Sequence, residues 1–378
     1  MAELTEILAW TKRAWNGIAC RIAAAEADKG VEKARREARL AGRRVAVVTG
    51  ASGGVGRAPA RRLAEAGFDV ALFARGETGL GAVAREVEKR GARALSLAVD
   101  VTSCDEVERA ARRVEFELGA IDVWVNDAMT TVFAPLEEIE PEDFARAVEV
   151  TFLGQVWGRM TALKRMRPRD SGTVVKVGSA LAYIGIPLQS AYCASNFACR
   201  GYFESVRAEL LHEKSRVKMA MVHLPAVNTP QFDWSATTID RYPQPVPPIY
   251  QPEIAAKFIV QAALGGQREK VVGSWNKLLV LAGRLAPGLG NQYASLGAWE
   301  TQLTSEQIDP RRPGNLRSPL DSSREHGAHG GFDERAGGFA GPSFLTSLPK
   351  TGLIFARAVK ATAKEKVELY RARIDQAA

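Results

Sequence analysis

The chain contains little of what metal sites, disulfide frameworks and membrane spans require. Its 378 residues include four cysteines and four histidines, and no two cysteines show the Cys-x-x-Cys spacing of zinc sites and redox motifs. No segment approaches the ~18 apolar residues that cross a bilayer, and the first residues lack the basic start and apolar run of a secretory signal. These absences predict a soluble protein of the reducing cytoplasm that binds no metal ion.

The overall composition predicts a globular protein with an anionic ligand. Hydrophobic residues make up 46% of the chain and charged residues 25%, which suffices for a large core and excludes wholesale disorder. The formal net charge of +8 favours anionic partners such as a phosphorylated cofactor. Because the arginines are spread along the chain rather than clustered, we expect no nucleic-acid partner.

Short apolar runs alternate with helical patterns from Arg43 onwards. Strands separated by helices need crossover connections, which make the strands parallel and place helices on both faces of the sheet. The predicted fold class is therefore α/β, a doubly wound parallel sheet of the Rossmann type over about residues 43–275. The predicted strands are 45–48, 70–73, 95–99, 123–125, 174–177 and 219–223.

Segments of different composition flank this domain. Residues 1–42 and 343–378 have basic, amphipathic patterns that predict helices; these pack on the core or another subunit or, as an alternative, contact a membrane surface. Residues 276–310 are predicted to be a helical extension, and the Gly-, Pro- and Ser-rich residues 311–342 a flexible segment. The proline- and aromatic-rich residues 225–253 predict a substrate loop, with an inert connection as the alternative.

A glycine-rich turn follows the first predicted strand, with the sequence Thr-Gly-Ala-Ser-Gly-Gly-Val-Gly-Arg at residues 49–57. Its glycines permit a tight turn and let the backbone approach a pyrophosphate, whose charge the N–H groups of the next helix favour. Glycines also serve ordinary turns, but the position between the first strand and its helix favours a nucleotide site. The residues expected at the phosphates are Gly50, Ser52, Gly54, Val55 and Gly56.

The spacing Thr-Gly-x-x-x-Gly-x-Gly resembles that of the short-chain dehydrogenase/reductase family, and the resemblance spans about residues 43–270. Further matches are Asp100-Val101 after the third strand, which contact adenine in that family, and Asn126-Asp-Ala128 after the fourth. The segment from Val227 to Thr229 resembles the one that holds the nicotinamide carboxamide. The resemblance implies an alcohol or carbonyl substrate and a homodimer or homotetramer, and it assigns cofactor contacts to Asp100, Val101, Asn126, Ala128, Val227 and Thr229.

The end of the second strand bears on the choice of nicotinamide cofactor. NAD-binding Rossmann proteins carry an acidic residue there, whereas a basic residue accommodates the 2′-phosphate of NADP. The strand here runs into Ala74-Arg75, and Arg75 can form a bidentate pair with a phosphate. Arg57, beside the glycine turn, can add a second positive charge. We therefore expect NADP(H) rather than NAD(H); the alternative is that either arginine is a solvated surface charge.

Residues 177–196 resemble the family's reaction centre, in which a serine, a tyrosine and a lysine four residues after the tyrosine serve hydride transfer. The resemblance assigns orientation of the substrate oxygen to Ser179 and proton transfer to Tyr192, with Tyr183 as the alternative acid. Asn196 occupies the lysine position, and Thr151 the position of an upstream asparagine. These four residues form the predicted catalytic set, and Tyr192 and Asn196 are also expected to contact the cofactor.

Asn196 leaves two functional hypotheses open. An amide can bond the cofactor ribose but lacks the positive charge that lowers the pKa of a phenol from its usual value near ~10. We expect an NADP(H)-dependent oxidoreductase of reduced activity, because general acid–base catalysis is worth ~10²–10⁴ in rate. The alternative is a homologue that binds NADP(H) as a sensor or scaffold. A lysine restored at residue 196 should separate the two.

Overall fold

The structure, a computed structural model, describes residues 42–265 and 267–337. The helices predicted for residues 1–42 and 343–378 lie outside this part of the chain, apart from residue 42. None of the helices within it is long and apolar enough to cross a membrane.

The strands of the described residues are β1 (Arg44–Thr49), β2 (Phe68–Ala74), β3 (Ala94–Ala98), β4 (Ile121–Asn126), β5 (Val132–Phe133), β6 (Thr173–Ser179), β7 (Lys218–Leu224), β8 (Ala236–Thr237), β9 (Arg241–Pro243), β10 (Glu269–Val271) and β11 (Leu303–Gln307). Seven of them form the central parallel sheet, in the order β10, β7, β6, β4, β1, β2, β3. Strands β3 and β4 follow each other in the chain but lie on opposite sides of β1, which confirms the predicted doubly wound sheet.

Helices connect the parallel strands and cover both faces of the sheet. The helices of the described residues are α1 (Gly54–Glu65), α2 (Glu77–Glu88), α3 (Cys104–Glu117), α4 (Pro141–Val148), α5 (Gly154–Met166), α6 (Ser190–His212), α7 (Gln231–Trp234), α8 (Pro252–Gly265), α9 (Ser274–Leu285), α10 (Pro287–Tyr293) and α11 (Trp299–Thr301). A π-helical turn at Glu149–Leu153 joins α4 to α5.

Two apolar layers hold the sheet between its helices. On one face α1, α2 and α8 bury side chains such as Leu63 and Ile259, and on the other α3, α5 and α6 bury side chains such as Val114 and Phe203. Strand β2 is buried along its whole length. Because both faces of each central strand are covered, the strands are nearly continuous apolar runs in the sequence rather than alternating ones.

The predicted loop over residues 225–253 lies at the carboxyl ends of the parallel strands. It contains α7, and its strands β8 and β9 pair with β5 and β11 respectively. Strand β11 was not predicted; it lies in the segment 276–310, which otherwise contains most of α9 together with α10 and α11.

Residues 311–337, here called the strap, also return to the carboxyl ends of the parallel strands. The strap contains one 3₁₀-helix at Asp333–Arg335 and is otherwise made of turns and irregular backbone. Its carbonyl groups at Asp321 and Gly327 accept hydrogen bonds from Gly79 N and Gly54 N, both at 3.1 Å. The strap is thereby joined to the starts of α2 and α1.

Trp124→Ala should lower the free energy of unfolding by about 3–5 kcal/mol, the usual cost of truncating a buried tryptophan. Trp124 is fully buried, packs edge-to-face on Phe73 with ring centroids 5.7 Å apart, and donates from Nε1 to Asn126 Oδ1 at 2.9 Å. Urea unfolding followed by circular dichroism measures the loss. Trp299→Ala, at a side chain 40% exposed, is the control and should cost within about 0.5 kcal/mol; equal losses would contradict the assigned core.

Candidate active site

A cavity of about 360 Å³ lies at the carboxyl ends of the parallel strands. Open α/β sheets bind ligands in this position, where the order of strands reverses. The predicted residues Gly56, Arg57 and Asn126 do not line it. The predicted site residues that do line it are Gly50, Ser52, Gly54, Val55, Arg75, Asp100, Val101, Ala128, Thr151, Ser179, Tyr192, Asn196, Val227 and Thr229.

The glycine turn after β1 packs directly on the end of β4. Gly50 has a φ of +70°, and a Cβ there would lie 2.9 Å from Ala128 Cα. Thr49 Oγ1 accepts hydrogen bonds from the backbone N of Asp127 at 3.1 Å and of Ala128 at 3.2 Å. A Cβ at Gly56 would lie 2.3 Å from Gly50 O, so this glycine lets the helix start against the turn. The N-terminus of α1 consequently opens onto the cavity.

Two of the predicted cofactor contacts are engaged elsewhere. Asn126 Oδ1 accepts the bond from Trp124. Arg57 is 4% exposed and bonds Glu86 from Nε at 3.1 Å and from one terminal nitrogen at 2.9 Å, and that nitrogen also lies 2.7 Å from Glu325. Arg57 therefore ties α1 to α2 and to the strap, because its side chain leaves the helix on the face away from the cavity.

Arg75 follows β2 and lines the cavity at the position predicted for it. Its guanidinium donates to carbonyl groups of the strap, to Arg317 O at 3.0 Å and to Asn315 O. Burial lowers the pKa of Arg75, while the charges of Asp100 and Asp321 act to raise it. An arginine stays protonated under such shifts, so the cavity holds a positive charge at this end.

The strap is a wall of the site that the sequence analysis missed. Asp321 lines the cavity. Its carboxylate packs against Gly76, where a Cβ would lie only 1.8 Å from Asp321 Oδ1. Gly327 O takes the first N–H of α1. The Gly- and Pro-rich composition of the strap does not predict that Asn315 contacts Arg75, which lies 240 residues earlier in the chain.

Ser179 and Tyr192 bring two hydroxyl groups to one end of the cavity. Ser179 is the last residue of β6, and Tyr192 lies in the first turn of α6. Burial raises the pKa of Tyr192 to about 12, although side-chain hydrogen bonds with Asn196 and Ser179 act to lower it. Tyr192 is therefore a protonated donor at neutral pH. The alternative acid, Tyr183, does not line the cavity and instead contacts Arg284 and Glu269.

Thr151 lies in the π-helical turn between α4 and α5 and faces the same cavity. Its hydroxyl donates to Thr130 O at 2.8 Å and accepts from Thr130 N at 3.0 Å. Both bonds tie the turn to the segment after β4. The Thr151 hydroxyl is therefore already hydrogen-bonded to the backbone of Thr130.

Two titratable residues, Lys176 and Asp127, lie near the Ser179 and Tyr192 end of the cavity. The sequence analysis did not predict that they interact. Lys176, on β6, is 1% exposed and donates from Nζ to Asn196 Oδ1 at 3.3 Å and to Val177 O at 3.1 Å. Burial raises the pKa of Asp127 to about 7, opposed by the charge of Lys176 and the N–H of Gly56. The sequence does hold one signal for Lys176, which is a lone cation inside an otherwise apolar strand.

The remaining wall of the cavity is largely apolar. Side chains from the segment after β6, from the loop over residues 225–253 and from α9 contribute to it. They include Leu181, Ile184, Ile186, Phe232, Val246, Trp275 and Leu279.

The sheet order and the glycine turn define a Rossmann-type dinucleotide-binding fold, with two hydroxyl groups in the same cavity. A family model described as short chain dehydrogenase matches residues 44–238. The chain belongs to the short-chain dehydrogenase family, as the sequence analysis predicted.

Relatives across this family are oxidoreductases by name. The chain is 29% identical over 317 residues to the uncharacterized oxidoreductase YxnA of Bacillus subtilis (strain 168), covering 83% of this chain and 87% of that one. It is 32% identical over 263 residues to the putative oxidoreductase SadH of Mycobacterium tuberculosis, covering 68% and 94%. An alcohol dehydrogenase from the archaeon Thermococcus sibiricus, solved with 5-hydroxy-NADP, has a TM-score of 0.52 at 25% identity, covering 61% of this chain and 94% of that chain.

Gly56→Ala should lower the free energy of unfolding by about 1–3 kcal/mol, the usual cost of overpacking, because the new Cβ meets the backbone of Gly50. Chemical denaturation measures the change. Gly81→Ala, in the middle of α2 with only Arg85 at 3.6 Å from the new Cβ, is the matched control. It should raise stability by about 0.5–1 kcal/mol, since alanine favours a helix. A neutral Gly56→Ala would show that the turn is not packed as described.

Proposed function

We propose that the chain transfers a hydride between NADP(H) and an alcohol or carbonyl group of an apolar substrate. One observation carries the proposal: the hydroxyls of Ser179 and Tyr192 line the same cavity as the glycine turn. A dinucleotide bound by its pyrophosphate at that turn would extend to the two hydroxyl groups, so the cavity would hold both the hydride donor and the proton donor that carbonyl reduction requires.

The residues around the turn fit a dinucleotide. The N-terminus of α1 opens onto the cavity, where the backbone N–H groups after the first, which Gly327 O accepts, favour a pyrophosphate. Gly54 has a φ of +55°, and a Cβ there would lie 3.4 Å from the side chain of Thr229, so the glycine keeps the space between them open. Val227 and Thr229 line the cavity beside the turn and would hold the nicotinamide carboxamide.

The chain's own contribution to the reaction is the handling of the substrate oxygen. The bound nicotinamide supplies or accepts the hydride. Ser179 donates a hydrogen bond that orients the oxygen, and Tyr192 Oη gives its proton to that oxygen in reduction and takes it back in oxidation. Thr151 supports this wall through its two bonds to Thr130.

Arg75 is the main support for NADP(H) over NAD(H). Its guanidinium lines the cavity next to Asp100 and presents donors that match a phosphate. The strap carbonyls that it now contacts are neutral acceptors, which a 2′-phosphate would replace with a stronger, charge-assisted pair. The similar archaeal dehydrogenase carries a derivative of NADP, which agrees with this choice.

The apolar wall supports a hydrophobic substrate. A polar substrate would leave its hydroxyl and amide groups without partners against side chains such as Ile184, Phe232 and Leu279, at a cost in binding free energy. Assembly into a homodimer or homotetramer, the cytoplasmic location and the membrane alternative for the terminal helices stay predictions of the sequence.

Tyr192→Phe should lower kcat for reduction of an apolar carbonyl by about 10²–10⁴, the usual worth of general acid catalysis, and leave the dissociation constant for NADPH nearly unchanged. Calorimetric titration with NADPH and NADH, followed by turnover of a carbonyl panel, measures both quantities. Tyr202→Phe, on the same helix but outside the cavity, is the control.

Each outcome of this experiment bears on the proposal. Binding of NADPH with turnover that depends on Tyr192 supports it. Binding without turnover of any carbonyl would favour the cofactor sensor or scaffold, and no binding of either nucleotide would overturn the proposal.

Arg75→Gln should weaken NADPH binding by about 10- to 100-fold, the range expected for a charge-assisted pair of about 1.5–3 kcal/mol, and leave NADH binding nearly unchanged. Arg57→Gln is the matched control, because Arg57 is bonded to Glu86 and Glu325 away from the cavity. Any effect of the control should fall on both cofactors alike. A selective loss at Arg57, or none at Arg75, would show that the 2′-phosphate lies elsewhere.

A further inference from the structure

Lys176 is a buried lysine that the mechanism above does not use. It projects from the middle of β6 toward α6 and is almost inaccessible to solvent. Burying an ammonium group costs several kcal/mol unless nearby groups compensate for the lost water. Two of its compensating contacts are fixed by hydrogen bonds, to Val177 O at 3.1 Å and to Asn196 Oδ1 at 3.3 Å.

The bond to Asn196 determines how the amide of that residue is oriented. An ammonium group only donates, so the amide must turn its oxygen to Lys176 and its Nδ2 away. Nδ2 then donates to Tyr192 O at 3.0 Å, and the Asn196 side chain also bonds the Tyr192 side chain and lowers its pKa. Lys176, Asn196 and Tyr192 thus form a continuous polar contact from β6 to the cavity.

Other charged and titratable groups surround Lys176. Burial is the largest cause of the lowered pKa of Lys176; Arg159, on α5, acts to lower it further, and the charge of Asp127, after β4, acts to raise it. Cys199, on α6, acts in the same direction as Asp127. His223, on β7, is also close. A Cβ placed on Gly178 would lie 3.0 Å from Lys176 Nζ and 3.5 Å from His223 Nδ1. Asp127 is the carboxylate that supports the ammonium charge among these groups.

We propose that Lys176 is the positioning residue that supplies the positive charge for Tyr192, acting through Asn196. The ammonium on β6 and the amide on α6 together replace a single lysine four residues after the tyrosine. This inference rests on the proposed function for its role in turnover, since the phenolate that forms when Tyr192 gives up its proton is the species that the charge stabilises. The position does not need to touch the substrate or the cofactor.

The proposal reverses an expectation drawn from the sequence. If Asn196 simply marks a missing lysine, Asn196→Lys should raise turnover by itself. With Lys176 in place, the new ammonium would lie against a second one in a buried site, where like charges repel strongly and shift each other's protonation. Asn196→Lys alone should therefore bring no gain, and it should become useful only when Lys176 is made neutral.

The test is a cycle of four proteins: the parent, Lys176→Met, Asn196→Lys and the double variant. Each is labelled with 3-fluorotyrosine, whose electron-withdrawing fluorine lowers the pKa of the phenol and reports its ionisation by ¹⁹F NMR. Tyr192→Phe identifies the resonance of Tyr192 among the seven tyrosines. Lys218→Met, at an exposed cation on the adjoining strand β7, is the control, and Lys176→Gln is a second neutral variant in case the methionine variant does not fold.

Lys176→Met should raise the pKa of residue 192 by about one unit or more, the effect of losing a neighbouring opposite charge, and lower kcat by about 10- to 100-fold with little change in NADPH binding. The double variant should recover both values. An unchanged titration in both neutral variants, or a tenfold gain from Asn196→Lys alone, would overturn the proposal. Because the titration needs no turnover, it gives a result even if the proposed reaction fails.

Discussion

Gly50 lies so close to Ala128 that any side chain at this position would push the first and fourth strands apart, with 2.9 Å between the new Cβ and Ala128 Cα. The same turn receives the start of α1 through Gly56 and is held by the hydroxyl of Thr49. These contacts place the N-terminus of α1 at the carboxyl ends of β1 and β4, where the order of strands reverses. The cavity, its cofactor end and its hydroxyl groups all depend on that junction.

At the end of the cavity that Ser179 and Tyr192 line, burial makes the phenol difficult to ionise. Burial raises the pKa of Tyr192 to about 12, so a nearby positive charge has more to contribute here than at the surface, where water screens it. Burial also lowers the pKa of Lys176, while the charge of Asp127 acts to raise it. The site is therefore a set of coupled groups, and the properties of each depend on the protonation of its neighbours.

The strap and the loop over residues 225–253 form much of the cavity wall that a ligand would contact. The strap brings Asp321 and the carbonyls bonded to Arg75 to one end, and the loop brings apolar side chains such as Phe232 to the other. Both segments have irregular backbone held by main-chain and side-chain contacts rather than by long regular elements. Segments of this kind are common at ligand sites carried on rigid α/β scaffolds.

The amino-acid sequence by itself determined the features that depend on neighbours a few residues apart. Alternating strand and helix patterns predict the sheet, local spacing predicts the glycine turn, and the family resemblance of residues 177–196 assigns Ser179 and Tyr192. Only the tertiary structure decided that Arg57 turns to Glu86, that the strap reaches Arg75, and that Lys176 lies beside Asn196. Those contacts join residues 20 to more than 200 positions apart, and their existence depends on how strands and helices pack, which no local period in a sequence encodes.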